Sequence, residues 1–198
     1  MMQLDFTEDY VLENSRVRLE PLNERHISLL EDISKEENLW TYFLGASGGS
    51  KDFGNYIHRA IEGRKEQREY PFAVFDKNKN DYAGSTRFFD YQQELNTIRL
   101  GYTWYGQDYR GTGLNKNCKY LVFEFAFERI GVERVGLGAH AENEVSLAAM
   151  ESVGCKKEGV VRNLFPSIHG KGRSDAILLG ILKQEWNDYA KRDLKNKL

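Results

Sequence analysis

The run Trp104-Tyr105-Gly106-Gln107-Asp108-Tyr109-Arg110-Gly111-Thr112-Gly113-Leu114-Asn115 holds the residue types best suited to gripping an anion. Gly111 and Gly113 permit left-handed backbone and let the chain approach a ligand closely. Arg110 adds a fixed charge whose fork of donors matches phosphate. An alternating strand, Ile98 to Trp104, enters this turn, and an amphipathic helix leaves it near Leu114 or Asn115. The unpaired N–H groups and positive dipole end of that helix would converge on the same spot. The chemistry expected is a pyrophosphate cradle. The plainer alternative is a tight strand-to-helix connection with Arg110 in solvent.

Two nucleotide motifs fail at this turn. A P-loop places Lys and then Ser or Thr after its last glycine; counted from Gly106, the spacing reaches Gly111 and then gives Thr112. A dinucleotide fingerprint needs a small third residue where this chain has Lys116. Any phosphate held here sits in a turn of another kind.

Composition sets the frame for that turn. A chain of 198 residues, 40% hydrophobic and 29% charged, has the size and make-up of one globular domain. The net charge of −2 gives no global electrostatic case for nucleic acid. The N-terminus lacks the apolar core of a signal peptide and no apolar run approaches a membrane span, so cytoplasm is the default expectation. Cys118 and Cys155 form neither a disulfide framework nor a metal-ligand pair, and the four histidines are scattered, so no metal is expected. Cys118 falls on the apolar stripe of the central helix, where a small buried hydrophobe fits.

The elements that must position the turn follow from periodicity. Residues Met1 to about Ser15 look like a loosely attached arm, with a short strand at Tyr10-Val11-Leu12. Arg16 to Glu20 alternates and is stopped by Pro21, and Asn23 is placed to cap a helix carrying Ile27, Leu29, Leu30 and Ile33. A glycine-serine loop, Gly45 to Ser50, has the composition of either a mobile substrate loop or a plain connection. A second helix covers Phe53 to about Gln67. Strands at Phe72–Asp76, Tyr82–Tyr91 and Thr97–Trp104 have short connections and form an antiparallel meander. The central helix, Asn115 to about Arg129, ends at Gly131. It crosses over to a strand, Arg134 to His140, which must then lie parallel to the one ending at Trp104. Asn143 opens a short helix closed by Gly154, strands follow at Cys155–Asn163 and Ser174–Leu182, and the tail from Lys183 is helical near Trp186 and frays. The fold class read from this order is α+β, in one domain with a core of about residues 15–186.

These elements and the residues on them resemble the GCN5-related N-acetyltransferases, in particular the branch containing the ribosomal-protein N-terminal acetyltransferases (RimJ/RimL type). The family's Gln/Arg-x-x-Gly-x-Gly/Ala loop is matched by Arg110-Gly111-Thr112-Gly113-Leu114-Asn115, with Asn115 in place of the final small residue. Asn143-Glu144-Val145-Ser146 resembles the branch's Asn-x-x-Ser, and Val153-Gly154-Cys155-Lys156-Lys157-Glu158-Gly159 its Leu-Gly-Phe-x-x-Glu-Gly, with Cys155 departing from the aromatic. Arg16-Val17-Arg18-Leu19-Glu20-Pro21-Leu22 fits the opening strand, and Arg173-Ser174-Asp175 with Glu185-Trp186 the closing strand and helix. The resemblance runs from about Ser15 to Trp186. It implies a mixed, mostly antiparallel central sheet flanked by helices, with a splayed parallel pair. In that cleft the pantetheine arm pairs with the free edge of the strand ending near Trp104.

The activity implied is direct transfer of acetyl from acetyl-CoA to a primary amine. By the resemblance, backbone N–H groups of Arg110, Gly111, Thr112, Gly113, Leu114 and Asn115 hold the pyrophosphate, and Asn143 hydrogen-bonds the pantetheine arm. Ser146 lies one helical turn beyond Asn143, on the same side, and is placed to donate to the departing sulfur; the alternative is a local backbone partner. Glu69 resembles in position an acid proposed as base in the branch. Glu66, Glu94, Tyr102 and His140 compete with it, as does water leading to a distant carboxylate.

The acceptor is a protein N-terminus or a small-molecule amine, and the acids Glu36, Glu37, Glu66, Glu69 and Glu94 favour a cationic one. A rival reading is a non-catalytic acyl-CoA-binding or regulatory module. Another is an RNA-binding accessory protein, for which Arg87, Phe88 and Phe89 are the only hint. Monomer and homodimer both remain open.

Overall fold

Alternation of buried and exposed side chains builds the first half of the sheet. In the computed structural model, which describes residues 3–43 and 52–198, β1 (Leu12–Glu13) pairs antiparallel with β2 (Val17–Pro21). Next come β3 (Glu69–Asp76), β4 (Asp81–Gln92) and β5 (Thr97–Tyr105), each antiparallel to the one before. Helices α1 (His26–Ser34) and α2 (Phe53–Lys65) lie between β2 and β3 in the chain. The loop Gly45 to Ser50, expected as a substrate loop or a connection, lies outside the described residues.

After β5, helix α3 (Leu114–Glu124) continues through a wider π-helical segment, Phe125–Ile130, and ends at Gly131, whose φ is 89°. It crosses to β6 (Arg134–His140), parallel to β5 as the crossover requires. Helix α4 (Glu144–Ser152) leads to β7 (Lys156–Pro166) and β8 (Arg173–Leu182). Eight strands result, in the order β1-β2-β3-β4-β5-β6-β8-β7. The mixed, mostly antiparallel sheet is the one expected, with a single parallel pair.

That pair is short. Thr97, Ile98 and Arg99 face Arg134, Val135 and Gly136, and no further pairing joins β5 to β6. Both strands run on past this fork, β5 to Tyr105 and β6 to His140. The two sides of the sheet bury different sets. Val17, Leu19, Phe72, Val74, Phe88, Ile98 and Leu100 pack with Leu114, Cys118, Leu121, Val122 and Phe125 of the central helix. Ala73, Tyr82 and Trp104 pack with Leu30, Tyr56, Ile57 and Ala60 of α1 and α2.

Three expectations need correction. The N-terminal arm is not loose. Leu4, Tyr10 and Leu12 are buried, and the Tyr70 hydroxyl accepts the Tyr10 N–H (2.9 Å) while donating to the Glu8 carbonyl (2.6 Å). The Arg64 guanidinium donates to the carbonyls of Phe6 (2.8 Å) and Glu8 (2.7 Å), a use of its rigid fork that lysine could not reproduce. The tail does not fray either. Helical turns at Lys183–Glu185, Trp186–Ala190 and Lys191–Lys195 form one C-terminal helix, α5 (183–195). Its Trp186, Ala190 and Leu194 recur every fourth position and are buried in the core shared with α3. Lastly, Asn23 does not cap α1. The helix begins after Arg25, and the Asn23 Oδ1 accepts only the Arg25 N–H (3.2 Å).

Candidate active site

The glycine turn has the backbone its composition called for. Gly111 and Gly113 have φ of 72° and 84°, and no atom lies within 4 Å of where a Cβ would stand on either. Gly113 precedes α3 directly, no side chain caps the helix, and its first turn holds no acid. The first N–H groups of α3 therefore face open space with the dipole behind them. Arg110 is exposed and its Nε donates to the Tyr105 carbonyl (2.9 Å), which folds the guanidinium back over the end of β5. Thr112 Oγ1 donates to the Tyr109 carbonyl (2.7 Å), and Asn115 Oδ1 accepts from the Tyr105 hydroxyl (3.3 Å). Leu114 is a core side chain and offers only its N–H outward. Trp104 is likewise buried, among Trp40, Phe53 and Tyr56, with its indole N–H on the Tyr56 hydroxyl (3.0 Å). It has backbone alone to give to the cleft. The open, uncapped turn fits the pyrophosphate of acetyl-CoA.

At the end of β6 the chain turns at Asn143, whose Oδ1 accepts the Ser146 N–H (3.1 Å) and caps α4. The Asn143 Nδ2 and the Ser146 Oγ bond nothing among the described residues, so both keep donors for a ligand. Between these residues and the sheet sits His140. Its Nδ1 accepts the Glu142 N–H (3.2 Å), and its Nε2 is buried without a partner among the described residues. Glu142 ties three segments together. Its carboxylate takes His169 Nε2 (2.7 Å) and the Ser174 hydroxyl (3.0 Å), and its carbonyl takes the Tyr42 hydroxyl (3.0 Å). The hydrogen bonds from Ser174 and His169 hold the Glu142 pKa below its usual range.

Glu69 opens β3 and its Oε2 accepts from Arg87 Nη1 (2.6 Å). Arg87, on β4, is 4% exposed, and its guanidinium lies between the rings of Tyr56 (4.9 Å) and Tyr102 (4.3 Å). Burial opposes its charge, but Tyr56 and Glu69 outweigh that and raise its pKa. Tyr102 itself has φ of 49° and sits in a bulge: Ser85 faces Trp104 and Arg87 faces Gly101, so Thr86 alone opposes Tyr102 and Thr103. On the α3 side of this bulge, buried Lys119 donates to Thr103 Oγ1 (3.0 Å), which shares a hydrogen bond with Thr86 (2.7 Å). Burial pushes the Lys119 pKa down to about 8.

The structure thus gathers Glu69, Tyr102 and Trp104 on the α2 side of β3–β5. It sets the glycine turn beyond β5, His140 at the end of β6, and Asn143 and Ser146 just beyond it. Glu66 pairs with Arg68 and Glu94 lies in the β4–β5 turn, at the other end of β5 from the glycine turn, so neither joins the group. Arg87 and Phe88 are buried, so the hint of an RNA-binding face rested on interior residues. Sequence reading passed over Arg87 and Lys119 as parts of a site. Their one signal was a charge inside an otherwise apolar stretch.

A family model described as an acetyltransferase (GNAT) domain matches residues 16–156. The chain belongs to the GNAT acetyltransferases. An uncharacterized N-acetyltransferase of Bacillus subtilis (strain 168), YnaD, is 24% identical over 156 residues, covering 79% of this chain and 87% of that one. In fold it resembles a GCN5-related N-acetyltransferase from Brucella melitensis, with a TM-score of 0.83 at 24% identity over 96% of this chain and 85% of the other. It also resembles Mycobacterium smegmatis RimJ, whose structure is a complex with CoA-disulfide, with a TM-score of 0.78 at 16% identity over 95% and 93% of the chains.

Proposed function

We propose that this acetyltransferase moves acetyl from acetyl-CoA directly to a primary amine, on a protein N-terminus or a small molecule. The observation that carries the reading is the open, uncapped turn at Gly111 and Gly113, beyond the end of β5 after that strand has parted from β6. Pyrophosphate oxygens accept from the N–H groups between Arg110 and Asn115, and the pantetheine arm runs along the free edge of β5 toward the Asn143 Nδ2.

The amine nitrogen attacks the thioester carbonyl carbon. The new C–N bond forms, the C–S bond breaks, and its electron pair leaves on sulfur. Ser146 Oγ, without a partner among the described residues, donates a hydrogen bond to that sulfur. The proton lost by the amine passes to Glu69, directly or through water. Because Arg87 already holds Oε2, the oxygen left for this work is Oε1.

The test is acceptor-dependent release of thiol from acetyl-CoA across N-terminal peptides, polyamines and amino acids. Release with at least one amine is the expected result. Measurable CoA binding with no release for any amine would instead favour the binding module.

A further inference from the structure

Charge on the acceptor side of the sheet is left unanswered by the protein. Register places Glu69, Phe89, Arg99 and Gly136 in one row across β3, β4, β5 and β6, with Pro71, Arg87 and Gly101 two rows along. Arg87 spends Nη1 on Glu69, while its Nε and Nη2 are buried with no hydrogen-bond partner among the described residues. Those two nitrogens form one edge of the guanidinium, where parallel N–H bonds match the two oxygens of a carboxylate. The guanidinium carbon stands over the rings of Tyr56 (4.9 Å) and Tyr102 (4.3 Å), and its N–H groups donate in the guanidinium plane. Tyr102, which packs on this guanidinium, is itself 40% exposed.

Arg99 stands beside it at the fork. Its guanidinium packs on Phe89 (5.0 Å) and reaches over Gly138 of β6, and it has no carboxylate partner among the described residues. The acids that pointed to a cationic acceptor are occupied or elsewhere. Glu36 takes the Gln107 N–H (2.7 Å), Glu66 pairs with Arg68, and Arg134 with Glu158. Among the described residues, Glu69 is thus the one carboxylate paired with either arginine, with His140 farther along β6.

We propose that the acceptor amine carries a carboxylate, and that the Nε–Nη2 edge of Arg87 receives it with Arg99 alongside. This rests on the acetyltransferase reading of the same site. A buried donor pair left unmade is costly, and a carboxylate both satisfies it and balances the second positive charge. An uncharged acceptor does neither.

The test uses matched amines on the whole protein: alanine against alaninamide, and the peptide amides Ala-Asp against Ala-Asn, with phosphoethanolamine as a further anion. Thiol release gives kcat/KM for each, and calorimetry gives binding of each acid to the CoA-loaded enzyme. The expected result is that an acid exceeds its amide twin by on the order of 10- to 100-fold, and that Arg87→Gln brings the two to parity while CoA affinity is unchanged. Arg87→Lys keeps the charge but loses the parallel edge, and should lose the preference as well. If the Arg87 variants do not fold, Arg99→Gln, at a half-buried position, should lower the preference by itself. Equal rates for acids and amides, preference for phosphoethanolamine, or a preference untouched by the variants overturns the proposal. If nothing is acetylated, calorimetry still decides. Binding of an acid that Arg87→Gln abolishes supports the carboxylate site even as the transferase reading fails, and no binding of any acid overturns it.

Discussion

The two sides of the candidate site are made of different material. The donor side is backbone: two glycines at positive φ, the bare first turn of α3, and the strand edge freed where β5 leaves β6. The acceptor side is side chain: Arg87, Glu69, Arg99 and Tyr102, drawn from β3, β4 and β5. A backbone site recognises what all its substrates share, phosphate and amide. A side-chain site can be rewritten one residue at a time, so it is where acceptor choice is expected to reside.

That contrast can be broken from either side. The largest effect is expected of Gly113→Val. A β-branched residue at φ 84° costs on the order of 1–3 kcal/mol in strain and moves the N–H groups proposed to hold the pyrophosphate. CoA affinity, read by calorimetry, should fall about 100-fold, with circular dichroism unchanged. Normal affinity would remove the turn from the donor site.

Lys119→Met tests the layer under the bulge. The folded pKa of about 8 lies below the ordinary 10.5, so the native state disfavours the charged amine. The penalty is full below about pH 8 and disappears as pH rises through 10.5. Met, with no charge, should stabilise the protein by on the order of 1–3 kcal/mol at pH 7, and the gain should vanish above pH 10.5. Urea unfolding at both pH values measures it. A gain that does not depend on pH would mean that Lys119 titrates in the fold at its ordinary value, with no burial penalty for Met to remove.

The smallest effect is expected of Ser146→Ala. Removing one donor to a developing charge should lower kcat about 10-fold and leave CoA affinity alone. An unchanged kcat would make Ser146 only the third residue of a capped helix, whose N–H Asn143 accepts.

Legibility in the sequence divides along the same line. The turn, the α3 crossover and the parallel placement of β6 could be read because each depends on residues adjacent in the chain. The Asn143 turn could be read for the same reason, with Asn at a helix start. The acceptor side could not. Arg87 meets Glu69 across 18 positions, and Arg99 joins their neighbourhood only through the register of four strands, one of them shifted by the bulge at Tyr102. Its acids misled because their partners, Arg68, Arg87 and the Gln107 N–H, are fixed by the fold and not by composition. The arm escaped for a related reason: it is held by Arg64, 58 positions away from Phe6.

The central claim is that acetyl passes in one step from the thioester to a carboxylate-bearing amine. Its most direct test is a single turnover of the enzyme with isotope-labelled acetyl-CoA and that amine, followed by mass spectrometry of both the small molecules and the intact protein. The account predicts label on the amine nitrogen, one free CoA thiol per label transferred, and no labelled protein at any time. Labelled protein formed before product, or thiol released without labelled amine, would contradict it.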